Sequence, residues 1–309
     1  LYTALLVILF ETITFAKKNK TLIMKVLKKI TLIFLGLVIF ACSTDDDGGT
    51  ATLTQSEPLT GDYFPNALSN LWIYNVVNTN PEDATLDFTE VESLTISSST
   101  GSNYTLSANN TPALGTMNGF LVNGTLTSTD DTLIYNGSIS TPDVISELFN
   151  TSISLDNVLL YSLNADDNEE LSTKSGTITQ DLDLNGTIVP LTLNYSFSTT
   201  KLASSNSLTL DGETFSDVIK SNLRLNVDVT VTINAFGQQL NISVLDSQDI
   251  MSIDYYFAKD KGLIKANATQ GYEISSSFVM LLEGQNIDIG IPTTASSTNN
   301  QEIDSYILN

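Results

Sequence analysis

From Tyr63 onward, apolar and polar residues alternate with a period of two, the signature of strands that bury one face. The clearest run sets Ile219, Leu223, Leu225, Val227, Val229, Val231 and Ile233 against Lys220, Asn222, Arg224, Asn226, Asp228, Thr230 and Thr232, with Ser221 alone interrupting the apolar side. Its 16 residues, Ile219 to Asn234, would reach roughly 50 Å if straight at about 3.3 Å per residue. Ordinary strands have about 5 or 6 residues, so this one is expected to curl or to switch sheets at a bulge.

The alternation recurs at Leu86/Phe88/Leu94/Ile96, Phe120/Val122/Leu126, Leu191/Leu193/Tyr195/Phe197, Leu240/Ile242/Val244, Met251/Ile253/Tyr255/Phe257 and Tyr272/Ile274/Phe278/Met280/Leu282. Each run lies close to the next, so neighbours are expected to pair antiparallel. Asn185-Gly186 and Asp211-Gly212 are hairpin dipeptides of the type I′ kind. Asp130-Asp131, Gly237-Gln238 and Asp260-Lys261-Gly262 mark further reversals. One segment reads as a helix: Thr141 caps it, Pro142 suits its first position, Asp143 complements its dipole, and Val144, Ile145, Leu148 and Phe149 form an apolar stripe. No repeat and no second compositional regime divides this body. The expected fold is all-β with one or two short helices, a large curved antiparallel sheet or an open or half barrel over residues 61–291. A polar C-terminal tail, residues 292–309, is expected to be ordered only in part.

Ahead of the body, the apolar run Ile30–Ala41 has 12 residues, short of the roughly 20 that span a bilayer as a helix. Met24-Lys25-Val26-Leu27-Lys28-Lys29 supplies the positive segment that a secretory signal places before its apolar core. Ala41-Cys42 follows, with the only cysteine of the chain. Residues 24–41 resemble a bacterial lipoprotein signal, which implies that Cys42 carries the lipid after cleavage and fastens the protein to a membrane. Residues 1–23, with a second apolar run at Leu1–Phe10, read as an upstream extension. Ser43-Thr44-Asp45-Asp46-Asp47 resembles the surface-export signal of Bacteroidota lipoproteins. Gly48–Thr60 is rich in Gly, Thr and Ser, so residues 42–60 read as an acylated cysteine with a flexible acidic tether.

The charge is −22, from 13 basic and 35 acidic residues. Setting aside the six lysines and one glutamate of residues 1–41 leaves 7 basic and 34 acidic residues, a net −27 on the rest. That balance gives a solubilising, self-repelling surface and no grip on nucleic acid. With no histidine, there is no imidazole base or His-based catalytic relay. One cysteine allows no intramolecular disulfide and no thiolate metal cage.

Three motifs occur in order: Tyr63-Phe64-Pro65 with Leu71-Trp72-Ile73-Tyr74; Gly212-Glu213-Thr214-Phe215 with Asp217-Val218-Ile219-Lys220; and Tyr255-Tyr256-Phe257-Ala258-Lys259 with Gly262-Leu263-Ile264-Lys265. Together they resemble a widespread, mostly uncharacterised group of Bacteroidota-type outer-membrane lipoproteins. Ser69 and Asp260 stand where that group usually has Gly. The resemblance implies an open, strongly curved antiparallel barrel similar to periplasmic lipoprotein carriers, with helical elements over its concave side, and no catalytic residues.

An apolar concave sheet either packs itself full or leaves room for a greasy ligand. The candidate lining is Trp72, Tyr74, Phe120, Leu225, Val227, Val229, Tyr255 and Phe257. Asp166, Asn168 and Glu170 have the first spacings of a calcium loop, but Leu171 and Thr177 replace its glycine and its final glutamate, so a solvated hairpin tip is the expectation there. No cofactor is expected. The functional expectation is a non-enzymatic, lipid-anchored and surface-exposed outer-membrane lipoprotein that binds a hydrophobic ligand or an envelope partner. The alternatives are a structural or adhesive surface module with a solid core and, behind both, an acidic glycan-degrading enzyme built on a carboxylate pair.

Overall fold

A computed structural model describes residues 59–142, 149, 151–184, 187–235, 238–285 and 292–309; they belong to one compact unit, Glu57–Asn309. The strands are β1 (Leu71–Thr79), β2 (Phe88–Thr100), β3 (Asn103–Ala108), β4 (Gly124–Ser128), β5 (Thr132–Ser140), β6 (Ser152–Ser162), β7 (Glu170–Leu184), β8 (Thr187–Leu210), β9 (Glu213–Ala235), β10 (Gln238–Ala258), β11 (Gly262–Glu273) and β12 (Thr294–Ile307). Two short helices are α1 (Thr116–Val122) and α2 (Ser276–Gln285). The strands form one antiparallel sheet in the order β6-β5-β4-β3-β2-β1-β12-β11-β10-β9-β8-β7, which curls into a nearly closed barrel.

The long strand expected from the alternation is β9, and bulges bend it and its neighbours. Register shifts fall at Leu202/Ser205 on β8 and at Ser243/Leu245, Leu245/Gln248 and Asp249/Met251 on β10. Each bulge adds local twist, which turns a long strand around a barrel. At the β8–β9 hairpin, Asp211 and Gly212 have φ of 43° and 86°, the left-handed pair that a type I′ turn requires. Ser69 and Asp260, the two departures from glycine, are also left-handed, with φ of 68° and 57°.

Inward positions carry the core. Leu223, Leu225, Val227, Val229 and Val231 of β9 are buried, as are Leu191, Leu193 and Phe197 of β8 and Ile253, Tyr255 and Phe257 of β10. The outer face of β9 is polar and laterally bonded: Asn222 donates to Asp254 at 2.7 Å, Asn226 to Asp249 at 2.9 Å and Thr232 to Asn241 at 2.9 Å. This is the reverse of a membrane-spanning barrel, whose apolar band faces outward.

The sheet edges, β6 and β7, are sequence neighbours that meet without a backbone ladder. Side chains close the seam instead. Thr199 Oγ1 donates to the Leu159 carbonyl at 2.7 Å, Tyr255 Oη to Leu160 at 2.7 Å, and Ser172 Oγ accepts from the Leu159 N–H at 2.9 Å. Buried Lys201 reaches the carbonyls of Leu163 and Ala165. An unpaired edge inside a fold must satisfy its backbone groups some other way.

Three expectations change. Residues 292–309 are not a loose tail: β12 pairs with both β1 and β11 and completes the wall. Its inward row is Ser297, Asn299, Gln301 and Ile303, mostly polar, so the alternation that reveals a strand was hidden. Phe278, Met280 and Leu282 lie on α2 rather than on a strand; Phe278 and Leu282 are buried while Met280 is 64% exposed. Phe120 and Val122 lie on α1, where Met117, Phe120 and Leu121 share a helical face. The helix expected at Thr141–Phe149 falls largely on residues 143–148, outside the described residues, as do the turn residues Asn185, Gly186 and Gly237.

Candidate functional site: a pocket at the far mouth of the barrel

Residues 59–70 sit at one end of the barrel, together with the β4–β5 turn. An aromatic plug fills that end. Phe64 packs on Trp72, Phe257 and Tyr104 at centroid distances of 5.1, 5.6 and 5.7 Å, and Tyr161 on Phe257 at 5.4 Å. Trp72 Nε1 donates to the Lys261 carbonyl at 2.6 Å and Tyr74 Oη to Leu263 at 2.8 Å. The motifs at Tyr63–Tyr74 and Tyr255–Lys265 therefore meet in space and hold the fold. Trp72, Tyr74, Leu225, Val227, Val229, Tyr255 and Phe257 are all at most 1% exposed and packed in one continuous core. Of the eight candidate lining residues, Phe120 lines an open pocket at the other mouth.

That pocket, of about 640 Å³, is half-open and lies at the opposite end. Its apolar side is Leu86, Phe88, Leu114, Phe120, Ile139 and Met251; its polar side includes Asn78, Asn80, Gln270, Ser297 and Asn299. Pockets of this size suit small molecules. Asp87 is the sole ionisable side chain among the described residues of the lining. Asp87 Oδ1 accepts from the Asn80 N–H at 2.6 Å, and the Asn80 side chain accepts from Glu82 and Asp83 at 3.0 and 2.8 Å.

A buried polar network sets the pocket floor. Glu92, on β2 and 0% exposed, accepts from the N–H groups of Leu114 at 2.6 Å and Gly115 at 2.9 Å and from Asn118 Nδ2 at 2.8 Å. These donors open α1, so the carboxylate meets the positive end of the helix. Gln301 donates to Asn118 at 2.7 Å, and Asn299 accepts from Thr116 N–H at 2.9 Å while donating to Leu114 at 3.0 Å. A β-carbon on Gly115 would run into Gln301 Oε1. Burial, then the Glu92 charge, hold the Tyr74 hydroxyl well above its usual pKa.

Reading the sequence missed Glu92, Asn118, Asn299 and Gln301. A signal was present: Glu92 shares strand parity with Leu94 and Ile96, and Gln301 with Ile303. A polar residue at a core-facing position calls for a buried partner.

A second pocket, of about 690 Å³, lies at the near end among Leu59, Asp62, Asn66, Ser128, Asp130, Asp131 and Asn164. Asp131 there accepts from Thr129 at 3.0 Å and Asn164 at 2.6 Å, and Asp62 from the Phe64 N–H at 2.9 Å, so both hold loops. Burial raises the Asp62 pKa, opposed by that N–H. Among the described residues of its lining Leu59 is the one large apolar side chain.

The loop holding Asp166, Asn168 and Glu170 is a tight turn in which Asn168 is left-handed, with φ 67°, and Asp166 N–H donates to Glu169 at 2.7 Å. The ammonium of Lys201 occupies the Leu163 and Ala165 carbonyls where this loop begins. Among the described residues no group of three acidic, His or Cys side chains is placed to hold a metal ion. Cys42 lies outside the described residues.

Fold and site together define an all-β protein: a nearly closed antiparallel barrel, plugged at one end and pocketed at the other. No protein family, curated protein or solved structure matches this chain.

Proposed function

We propose that this chain is a lipid-anchored, surface-exposed outer-membrane lipoprotein of the Bacteroidota type, acting as a non-enzymatic binding module for a ligand with an apolar body. The observation that carries the reading is the half-open, partly apolar pocket at the end of the barrel opposite residues 59–62. Two acyl chains or more are what stable anchoring takes, and the polar outer wall suits a barrel held at a membrane rather than in it.

Two measurements test the reading. Native Cys42 is expected to carry acyl chains by mass spectrometry, and Cys42→Ser is expected to move the protein from the membrane fraction to the soluble one. An environment-sensitive apolar dye is expected to bind the folded barrel saturably and to be weakened by Phe120→Ala. A bare thiol would overturn the anchor, and a dye indifferent to the protein would overturn the binding role.

The filled interior, with Trp72, Tyr74, Tyr255 and Phe257 closely packed, favours a second reading, a structural or adhesive surface module. In that case the loops at the far mouth would contact a partner envelope protein and no small molecule would bind.

A further inference from the structure

The geometry points to a charge-selective pocket at the far mouth: it takes amphiphiles with a cationic, hydrogen-bond-donating head, such as a primary alkylammonium, and disfavours anionic ones. This rests on the reading of that pocket as a ligand site. Apolar contacts from Leu86, Phe88, Leu114, Phe120, Ile139 and Met251 give an alkyl body somewhere to go without distinguishing one head group from another. Discrimination falls to the polar side. Among the described residues of the lining Asp87 is the one charged group, with no Lys or Arg opposite it. Its Oδ1 accepts from the Asn80 N–H, and no other described residue bonds the carboxylate, so its second oxygen is offered to a ligand. The Ser297 hydroxyl and the Gln270 amide face the same space and make no hydrogen bond with the described residues. They supply acceptors for the remaining ammonium protons. Glu82 and Asp83 stand on the adjoining β1–β2 connection and Glu92 beneath the floor, so the local field is negative throughout.

The test compares octylammonium, octyl glucoside and octyl sulfate, each below its critical micelle concentration, by calorimetry at low salt on the folded protein. Octylammonium is expected to bind about 3–5-fold tighter than the glucoside and about tenfold tighter than the sulfate, the scale of a half-exposed ion pair. Asp87→Asn keeps an oxygen for the Asn80 N–H and is expected to cost octylammonium about threefold while leaving the glucoside unchanged. Asp167→Asn makes the same change in net charge on an exposed loop at the other end and is expected to change nothing. Equal binding of all three heads would overturn the inference and leave the binding function standing. Equal losses from both substitutions would also overturn it, by reducing the preference to overall charge. Failure of every probe to bind would remove the binding function and this inference with it.

Discussion

Replacing Glu92 with leucine tests whether the buried network, rather than the surrounding apolar packing, fixes α1 in the barrel mouth. Leucine fits the volume but accepts no hydrogen bond. Three donors then lose their acceptor where water cannot replace it: the N–H groups of Leu114 and Gly115 and the side chain of Asn118. An orphaned buried donor costs about 1–3 kcal/mol, so the substitution is expected to destabilise the fold by roughly 3–6 kcal/mol, the upper part of a simple sum being trimmed by relaxation. Glu92→Gln keeps one acceptor oxygen but turns an amide N–H toward another donor, for an expected loss of about 2–4 kcal/mol. For a domain of this size about 1 kcal/mol corresponds to roughly 2–4 °C. Thermal melts followed by circular dichroism should therefore place the leucine variant about 6–24 °C below wild type and the glutamine variant between them. Hydrogen exchange should show the amides of Gly115 to Phe120 losing protection first. A leucine variant that melts within about 2 °C of wild type, with α1 still protected, would refute the assignment of the network as what holds the helix.

The other expectations are local. Gly115→Ala forces Gln301 away from Asn118 and should cost about 1–3 kcal/mol in a urea melt. Tyr255→Phe leaves the Leu160 carbonyl of the seam without its donor, at an expected 1–2 kcal/mol or about that, with faster exchange along β6. Ser69→Gly and Asp260→Gly relieve left-handed backbone and should each raise stability by about 0.5–1 kcal/mol. Burial pushes the hydroxyls of Tyr63 and Tyr135 up to about 12 and those of Tyr74, Tyr104, Tyr161 and Tyr255 higher still. The folded state therefore keeps protons that the unfolded chain releases near pH 10, and stability falls as pH rises above that point, by about 1.4 kcal/mol per pH unit for each such tyrosine. A spectrophotometric titration should show these six ionising together with unfolding, and gradual ionisation of all of them in the folded state would contradict their burial.

Much of the barrel was legible because its wall obeys one rule, apolar in and polar out. β9 could be read almost residue by residue, and Asp211-Gly212 announced its hairpin through the left-handed backbone it needs. Two stretches defeated the rule for different reasons. Phe278, Met280 and Leu282 satisfy a two-residue period by coincidence, and only the exposure of Met280 against the burial of Phe278 and Leu282, four apart, separates helix from strand. β12 was masked because Ser297, Asn299 and Gln301 point inward, and Ile303 is the single apolar residue of that row to mark its parity.

That blind spot coincides with the pocketed end of the molecule, and the coincidence has a cause. Sequence patterning reports burial of apolar surface, so it finds the aromatic plug around Trp72 and Phe257, where hydrophobic packing decides the structure. At the pocketed end α1 is held by hydrogen bonds, which places Glu92, Asn299 and Gln301 at positions the pattern reserves for Leu or Val. Each of these amides and the carboxylate costs stability unless paired, and their pairing across β2, α1 and β12 is a property of the closed sheet alone. The residues that break the alternation are thus where the barrel departs from filling itself, and they hold Leu114, Gly115 and Thr116, which line the partly apolar pocket at that mouth.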